Sequence, residues 1–346
     1  MSRVNRLSSA VLGLMSFALL LIGCGDDTPS LTPSAEEAAR ILPEDAQLVT
    51  RMDFQALQAE SALSLSSERG ITIRLLDSDF TFNPLSAEAQ ARLDAFIEAT
   101  GVDPTTDLES VFAALPSDST AGSDRMPGFA IIADLDPDQL RSYLAEQTAV
   151  VSESAAYNDV TVYRMTNTPA AGLHFALLSD RLIAVTPTEA GLHRMIDRHQ
   201  GNAPALADRA GGTRLFAESV REGPLGLVAY DLPTQRMLDT VEQVDGNRFA
   251  RIGRAVRDVV ATLDLQEDRV NGRLLLTTDQ NASDLADVVR GAIAAVKTGG
   301  DLSETERAML DRIEVSDRDD MVTVRFDMDL EQLARWMMGQ ERPART

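Results

Sequence analysis

Four apolar segments of this chain each run into an aspartate and are followed at once by a helical pattern. The four segments end at Asp53, Asp134, Asp231 and Asp327. An aspartate at such a junction can accept hydrogen bonds from the free N–H groups of the first helical turn. Asp136 followed by Pro137 suits the cap and first positions of a helix especially well. Four such junctions predict an internally duplicated strand–helix architecture.

Between these junctions the sequence predicts antiparallel hairpins. Strands are expected over residues 160–165, 173–178 and 181–185, and residues 260–266 and 269–278 form a further hairpin. Strands joined by tight turns or helices favour antiparallel sheets with helices packed mainly on one face. The predicted fold class is therefore α+β, and the many hairpins disfavour a doubly wound parallel sheet.

Polar breaks divide the chain. With 346 residues it is long enough for two domains or one elongated repeat body. The break at residues 201–212 follows a helix with an apolar stripe and is the expected repeat boundary. We therefore predict a first α+β repeat over 34–205, a second over 206–340 and a disordered tail over 341–346.

The first residues have the pattern of an export signal. Arg3 and Arg6 precede the uncharged residues 10–23, a stretch too short to span a bilayer comfortably. It ends in Leu-Ile-Gly before Cys24, the only cysteine, and this order resembles the lipobox of bacterial lipoproteins. The resemblance implies a signal peptide over 1–23 that is cleaved before a lipidated Cys24. The alternative is an ordinary signal peptide with an incidental cysteine.

The lipobox resemblance also implies a location. Residues 24–33 then form the lipidated cysteine and a flexible polar tether. Two or three acyl chains would anchor the protein firmly to a membrane. Gly25, in place of an aspartate after the lipidated cysteine, favours the outer membrane, facing the periplasm or the cell surface. The expected compartment is the cell envelope.

The charge of the chain limits its partners. There are 54 acidic residues against 32 lysines and arginines, and the net charge is −22. Such a body repels nucleic acid and anionic headgroups, so no nucleic acid is expected as a partner. The predicted partners are the membrane, through the N-terminal lipid, and an envelope protein; the sequence identifies no ligand.

A resemblance to a family covers roughly residues 42–335. It rests on Pro-Glu-Asp-Ala at 43–46, Thr-Gly-Val-Asp-Pro at 100–104, the segment 157–163 and the strand end at 229–232. Their order is similar to that in an uncharacterised family of bacterial extracytoplasmic domains. The resemblance implies the α+β fold and the envelope location, and it implies no activity.

The histidines give no catalytic pattern. The sequence contains no nucleophile elbow, phosphate-binding loop, dinucleotide fingerprint or zinc-protease motif. His174 falls within a predicted strand, and His199 near a predicted helix end. His193 and Asp197 are four residues apart on a helix, which could place two metal ligands on one face or simply reflect a solvated surface. No catalytic residue, metal or cofactor is predicted.

Acidic clusters and the single lysine have simpler interpretations. Asp134, Asp136 and Asp138 alternate as in calcium loops, but helix capping explains them equally; the same holds for Asp327, Asp329 and Glu331. Asp317, Asp319 and Asp320 read as a solvated turn. Lys297 is expected near a helix C-terminus, where a cation complements the dipole.

Three functions remain open from the sequence. The leading hypothesis is a membrane-anchored envelope lipoprotein with a non-enzymatic binding or scaffold body. One alternative is a periplasmic carrier or sensor of an apolar ligand, and another is a hydrolase of unknown type. An open apolar cavity would favour the carrier, whereas a filled core with an exposed apolar patch would favour a protein partner.

Overall fold

The computed structural model describes residues 30–59, 63–66, 70–75, 78–82, 87–117, 126–149, 151–153, 156–166, 171–232, 255–266, 269–299 and 304–329. The described residues from Leu31 onward belong to one compact unit. Within these ranges, no helix combines the length and apolarity that crossing a membrane requires.

The strands are short and numerous. In chain order they are β1 Ala46–Asp53, β2 Leu63–Ser66, β3 Gly70–Leu75, β4 Ser78–Phe82, β5 Leu108–Pro116, β6 Gly128–Ala133, β7 Val151–Glu153, β8 Tyr163–Met165, β9 His174–Leu177, β10 Leu182–Thr186, β11 Leu225–Ala229, β12 Val259–Gln266, β13 Arg269–Thr277, β14 Glu314–Arg318 and β15 Met321–Asp329. The predicted hairpins over 173–185 and 260–278 are confirmed as β9–β10 and β12–β13.

Helices lie between the strands. They are α1 Pro33–Ala39, α2 Phe54–Ala59, α3 Ala87–Thr100, α4 Pro137–Glu146, α5 Glu189–His199, α6 Gly212–Arg221, α7 Ala282–Gly299 and α8 Glu304–Asp311, with a 3₁₀ turn at Leu206–Asp208. Mixed helices and antiparallel strands confirm the predicted α+β class.

Twelve strands form one antiparallel sheet, and β2, β3 and β4 form a small second sheet. The order in the large sheet is β14-β15-β13-β12-β11-β1-β5-β6-β10-β9-β8-β7. In this order the strands from before residue 205 are neighbours of one another, and so are the strands from after it. The two groups meet where β1 pairs with β11, with Leu48 opposite Ala229. The division into two repeats at this point stays a prediction.

The main core lies on the face that we call the inner face of the sheet, covered by α1, α5 and α6. Phe112, Ile132 and Leu182 point into it from the strands and are at most 2% exposed. Phe216 from α6 packs edge-to-face on Phe112, with ring centroids 5.7 Å apart. Alternation along each strand sends every second side chain toward these helices, which is why the amphipathic helices dock here.

A second core lies on the opposite, outer face. Leu285 and Ala286 of α7 pack against Leu276 of β13 and Val322 of β15, and all four are at most 5% exposed. The prediction that helices pack mainly on one face therefore holds for α1, α5 and α6, while α7 covers the outer face at the β13–β15 end of the sheet.

The first helix ties the start of the folded unit to the sheet. Thr32 caps α1 by accepting from the Ala35 N–H, and Ala35 is fully buried. Ser34 donates to Glu109 of β5 at 2.5 Å, and Arg181 pairs with the same carboxylate.

The strand–aspartate junctions differ from one another. Asp53 accepts from the Ala56 N–H at 2.9 Å, and Asp136 caps α4, as predicted. The expected junction at Asp327 is wrong, because β15 continues to Asp329. The ladder with β13 includes Asp327, opposite Asn271, and runs on to Asp329; Arg269 of β13 also pairs with the Asp327 carboxylate.

Candidate functional site

Strand alternation separates the two faces of β1. Arg51 points to the inner face, where its guanidinium donates to the backbone oxygen of Gly223 at 3.2 Å. Leu48 and Met52 therefore point to the outer face, because successive side chains of a strand alternate. Met52 is 40% exposed, a large fraction for a methionine in the centre of a sheet.

The side chains that lie opposite Met52 continue as an apolar row across the outer face. Residues directly opposite in an antiparallel pair share a face, so the registers define this row. The Met52 row consists of Ile183, Ile131, Val111, Met52, Leu225 and Leu263, on β10, β6, β5, β1, β11 and β12. Each of these six side chains is partly or largely exposed.

A parallel row through Leu48 runs from open to covered surface. This Leu48 row consists of Leu115, Leu48, Ala229, Val259, Leu276 and Val322. Leu115 is 39% exposed at one end, whereas Leu276 and Val322 under α7 are 5% and 0% exposed. One continuous apolar row is thus sealed at the α7 end and open at the centre of the sheet.

The sequence of the central strands explains this surface. β6 is apolar at every position after Gly128, and β10 carries Ile183 and Val185 outward as well as Leu182 and Ala184 inward. Strands that are apolar at both parities are typical of sheets covered on both faces. This was the signal from which the outer face could have been predicted, and the sequence reasoning missed it.

Two cavities of the described structure have charged linings. The first, of about 270 Å³, lies where α6 begins. There the buried Tyr230 hydroxyl donates to the Gly212 backbone oxygen at 2.9 Å. The Arg209 guanidinium lies 4.1 Å from the Tyr230 ring centroid and pairs with Asp231. Burial raises the pKa of Tyr230, so the phenol stays protonated.

Asp258 lines the same cavity and is 4% exposed. Its carboxylate accepts from the Asp231 N–H at 3.0 Å, the Thr277 hydroxyl at 2.7 Å and Arg257 Nε at 2.9 Å. Burial alone would raise the pKa of Asp258, but these hydrogen bonds outweigh burial and lower it. The carboxylate is thus held charged and fully engaged, and it stabilises the chain where Asp231 adopts a positive φ of 44°.

A larger cavity, of about 470 Å³, is also built from paired charges. Arg273, Glu222 and Arg325 belong to its lining. Arg273 Nη1 lies 3.2 Å from the Glu222 carboxylate, and Arg325 Nη2 lies 3.8 Å from the same carboxylate. The Phe326 ring covers Gly272, where an added Cβ would overlap it. The charges in this lining neutralise one another in ion pairs. A carrier of apolar ligands needs a mostly apolar cavity, so this cavity does not suit that role.

His193 and His199 both lie on α5, and His174 lies on β9. His193 stacks on the Tyr157 ring with centroids 3.8 Å apart, and Asp197 accepts from the Tyr157 hydroxyl at 3.0 Å. His174 is buried in β9. In the described ranges no group of three histidine, cysteine or acidic side chains could hold a metal ion.

Three of the remaining predicted residues form structural contacts. Asp136 accepts from the N–H groups of Asp138 and Gln139 at 3.0 Å, and these bonds lower the pKa of its carboxyl group. Asp317 pairs with Arg290, and Lys297 with Asp311. Cys24 and Glu331 lie outside the described residues.

Comparison with known proteins adds little. No protein-family model and no curated protein matches this chain. Among solved structures, TP0453 is similar in crystal form III, with 8% identity, a TM-score of 0.47 and coverage of 87% of this chain and 98% of that one. Crystal form IV gives 7% identity and 0.47, and form I 8% and 0.45; both comparisons cover 87% of this chain and 96% of TP0453. At these TM-scores the likeness carries no argument about this chain.

Proposed function

We propose that this chain is a lipid-anchored cell-envelope protein whose body binds a protein partner through the outer face of its sheet, without catalysing a reaction. The anchor rests on Cys24 at the end of a lipobox-like signal. The partner-binding role rests on one observation: the Leu48 row is buried under α7 and open at the centre of the sheet.

The open part of the outer face has the composition of an interface core. The exposed apolar side chains Met52 and Leu115 lie on adjacent strands, and the rows around them contain leucine, isoleucine and valine. Monomeric soluble proteins rarely leave large contiguous apolar surfaces uncovered, and such patches often mark contact with another protein. A partner seated here would do for the sheet centre what α7 does for its end.

The charge of the chain indicates the character of this partner. With a net charge of −22, the body attracts cationic proteins over a long range and repels acidic ones. Electrostatic complementarity raises association rates and excludes wrong partners, while apolar burial supplies most of the affinity. We therefore expect a partner segment with an apolar face and basic flanks.

The anchor is tested through Cys24. The Cys24→Ser variant should accumulate as unprocessed precursor, incorporate no labelled fatty acid and leave the membrane fraction. Normal processing and fractionation of this variant would overturn the lipid anchor, and would leave the outer-face proposal intact.

The outer face is tested by photo-crosslinking in native cell envelopes. A benzoylphenylalanine at position 52 or 115 should give one discrete protein adduct at both positions. The matched control is Val296, which is equally apolar and 40% exposed but lies on α7; it should give none. Lipid-sized adducts alone, or no adduct at positions 52 and 115, would overturn the protein-binding role.

A substitution distinguishes a partner bound to the outer face from a protein that is merely nearby. Met52→Asp should abolish the adduct formed from position 115, because a charge in the centre of the patch must be desolvated on binding. Val296→Asp should leave that adduct unchanged. Equal adduct yields in both variants would mean that the outer face does not bind the partner.

A further inference from the structure

The outermost strands of the sheet are attached by a short ladder. β7 and β8 form the edge pair, and β8 joins β9 through two registered pairs, Tyr163 with Phe175 and Arg164 with His174. Two more backbone bonds follow, from the Met165 N–H to the Leu173 oxygen at 2.8 Å and from the Gly172 N–H to the Met165 oxygen at 2.9 Å. Two registered pairs, these two backbone bonds and the stacked rings of Tyr163 and Phe175, with centroids 5.1 Å apart, hold β8 on β9. The ladder is short, and the His174–Arg164 pair is half of its registered pairs.

One of these two pairs contains a buried titratable group. His174 is 9% exposed, and its Nδ1 is buried without a hydrogen-bond partner among the described residues. Arg164, directly opposite on β8, is exposed at the surface. Directly opposite side chains on one face of a ladder lie about 5 Å apart at Cβ, and like charges in such a pair are destabilising.

The other charged groups near His174 come from α5 and β8. Glu189 favours a positive charge on His174, while Arg164 and a protonated His193 oppose it. The backbone of Gly172 also hydrogen-bonds the ring, and Thr186 lies opposite on β10. Burial is the largest effect, and together these influences lower the pKa of His174, so the ring is neutral at pH 7.

We propose that the His174–Arg164 pair makes the β8–β9 ladder an acid-sensitive latch, in which protonation of His174 releases β7 and β8 from β9. The proton would place a buried cation opposite Arg164 and beside His193. Opening the ladder exposes the imidazolium to water and separates it from the guanidinium.

The direction of the effect follows from linkage. In the released state His174 is solvated and takes the ordinary pKa of about 6.5, whereas in the closed ladder its pKa is lower. The closed state is therefore favoured fully above about pH 6.5 and loses that advantage as the pH falls through the pKa of the closed state. The released state leaves β9 as the new sheet edge, which can pair with another strand.

Hydrogen exchange on the full chain tests the latch. Amides of residues 151–153 and 163–165 should open on the order of tenfold more often at pH 5.5 than at pH 7.5, after correction for the intrinsic pH dependence of exchange. Amides of α7 should show no such change and serve as the internal reference. Equal corrected exchange of the edge strands at both pH values would overturn the proposal.

Three variants assign the effect to the pair. His174→Gln cannot be protonated and should lose the pH dependence, whereas His199→Gln, which removes another histidine with a burial-lowered pKa, should keep it. Arg164→Gln should weaken the pH dependence while retaining His174. Because Arg164 is exposed, this variant is informative even if His174→Gln does not fold. An unchanged pH dependence in Arg164→Gln would exclude the latch.

Discussion

Arg273 and Glu218 form a buried ion pair that fastens α6 to the sheet. Arg273 Nη2 lies 2.6 Å from the Glu218 carboxylate and 2.9 Å from its backbone oxygen, and each residue is 7% exposed. From the other side, Arg51 of β1 donates to the Gly223 backbone oxygen just beyond the helix. Two guanidinium groups thus hold the carboxyl-terminal end of α6, where the helix dipole favours cations.

Removing one partner of this pair should destabilise the protein strongly. Arg273→Met leaves Glu218 buried and uncompensated, so we expect a loss of about 3 kcal/mol in the free energy of unfolding. Urea denaturation measures it. The double variant Arg273→Met with Glu218→Met should recover part of this loss, since a well-packed apolar pair needs no desolvation of charges. An unchanged urea midpoint in Arg273→Met would contradict the buried pair.

The close approach of β11 to α6 predicts a second effect. A Cβ on Gly226 would lie 2.1 Å from the Ser219 backbone oxygen, so that strand and helix must move apart. Gly226→Ala should therefore lower the free energy of unfolding by about 3 kcal/mol.

Gly291 of α7 is the matched control, because an added Cβ there meets no atom within 4 Å. Gly291→Ala should raise the free energy of unfolding by about 0.5–1 kcal/mol through helix propensity. Thermal unfolding of both variants decides the point. Equal shifts of the two melting temperatures would show that the contact between Gly226 and Ser219 is not tight.

Local sequence signals were sufficient for several elements. The hairpin of β12 and β13 and the Asp136 cap of α4 could be predicted, because turn residues and caps act over a few positions. The pairing of β1 with β11 could not, since nothing local specifies which of many apolar strands lies beside Leu48. The same limit hid the continuation of β15 through Asp327, where it pairs with β13, a strand far away in sequence.

The apolar character of the outer face could have been predicted from strands such as β6, but the alignment of its side chains into rows could not, for a related reason. The Met52 row exists only because six strands share one register, and that register is set by the packed sheet. Alternation alone could not tell whether Leu48 or Val49 faces the core, as both are apolar. The position of α7 on the outer face decides which part of the row is covered.

Asp258 predicts a specific pH dependence of stability. Its hydrogen bonds lower its pKa below 3.8, so its contribution is present above about pH 4 and is lost as the pH falls through the lowered value. Asp258→Asn should cost about 1–3 kcal/mol at pH 7, and this difference from the wild type should shrink toward pH 2.5.

Urea midpoints at pH 7, 4 and 2.5 measure the change. Asp279→Asn is the control, since Asp279 contacts the same Arg257 but its side chain is 72% exposed. That variant should differ from the wild type by less than about 0.5 kcal/mol at every pH. A constant cost of Asp258→Asn across the three pH values would disprove a charged Asp258 in the folded state.

Arg290 protects the other edge of the sheet. This residue of α7 donates to the Val315 backbone oxygen at 3.1 Å and to the Asp317 carboxylate at 3.0 Å, both on the edge strand β14. Edge strands resist pairing between molecules when charged side chains cover them. Arg290→Ala should therefore increase self-association, seen as concentration-dependent sedimentation.

Two further variants test the role of Arg290. Arg290→Lys keeps a cation at the edge and should restore most of the wild-type sedimentation. Arg318→Ala removes a cation from β14 itself. The Arg318 side chain is 84% exposed, so this variant should have little effect. If Arg318→Ala associates as strongly as Arg290→Ala, the association does not depend on the contact between Arg290 and Val315. Net charge would not explain that outcome, since each variant makes a chain of net charge −22 more negative.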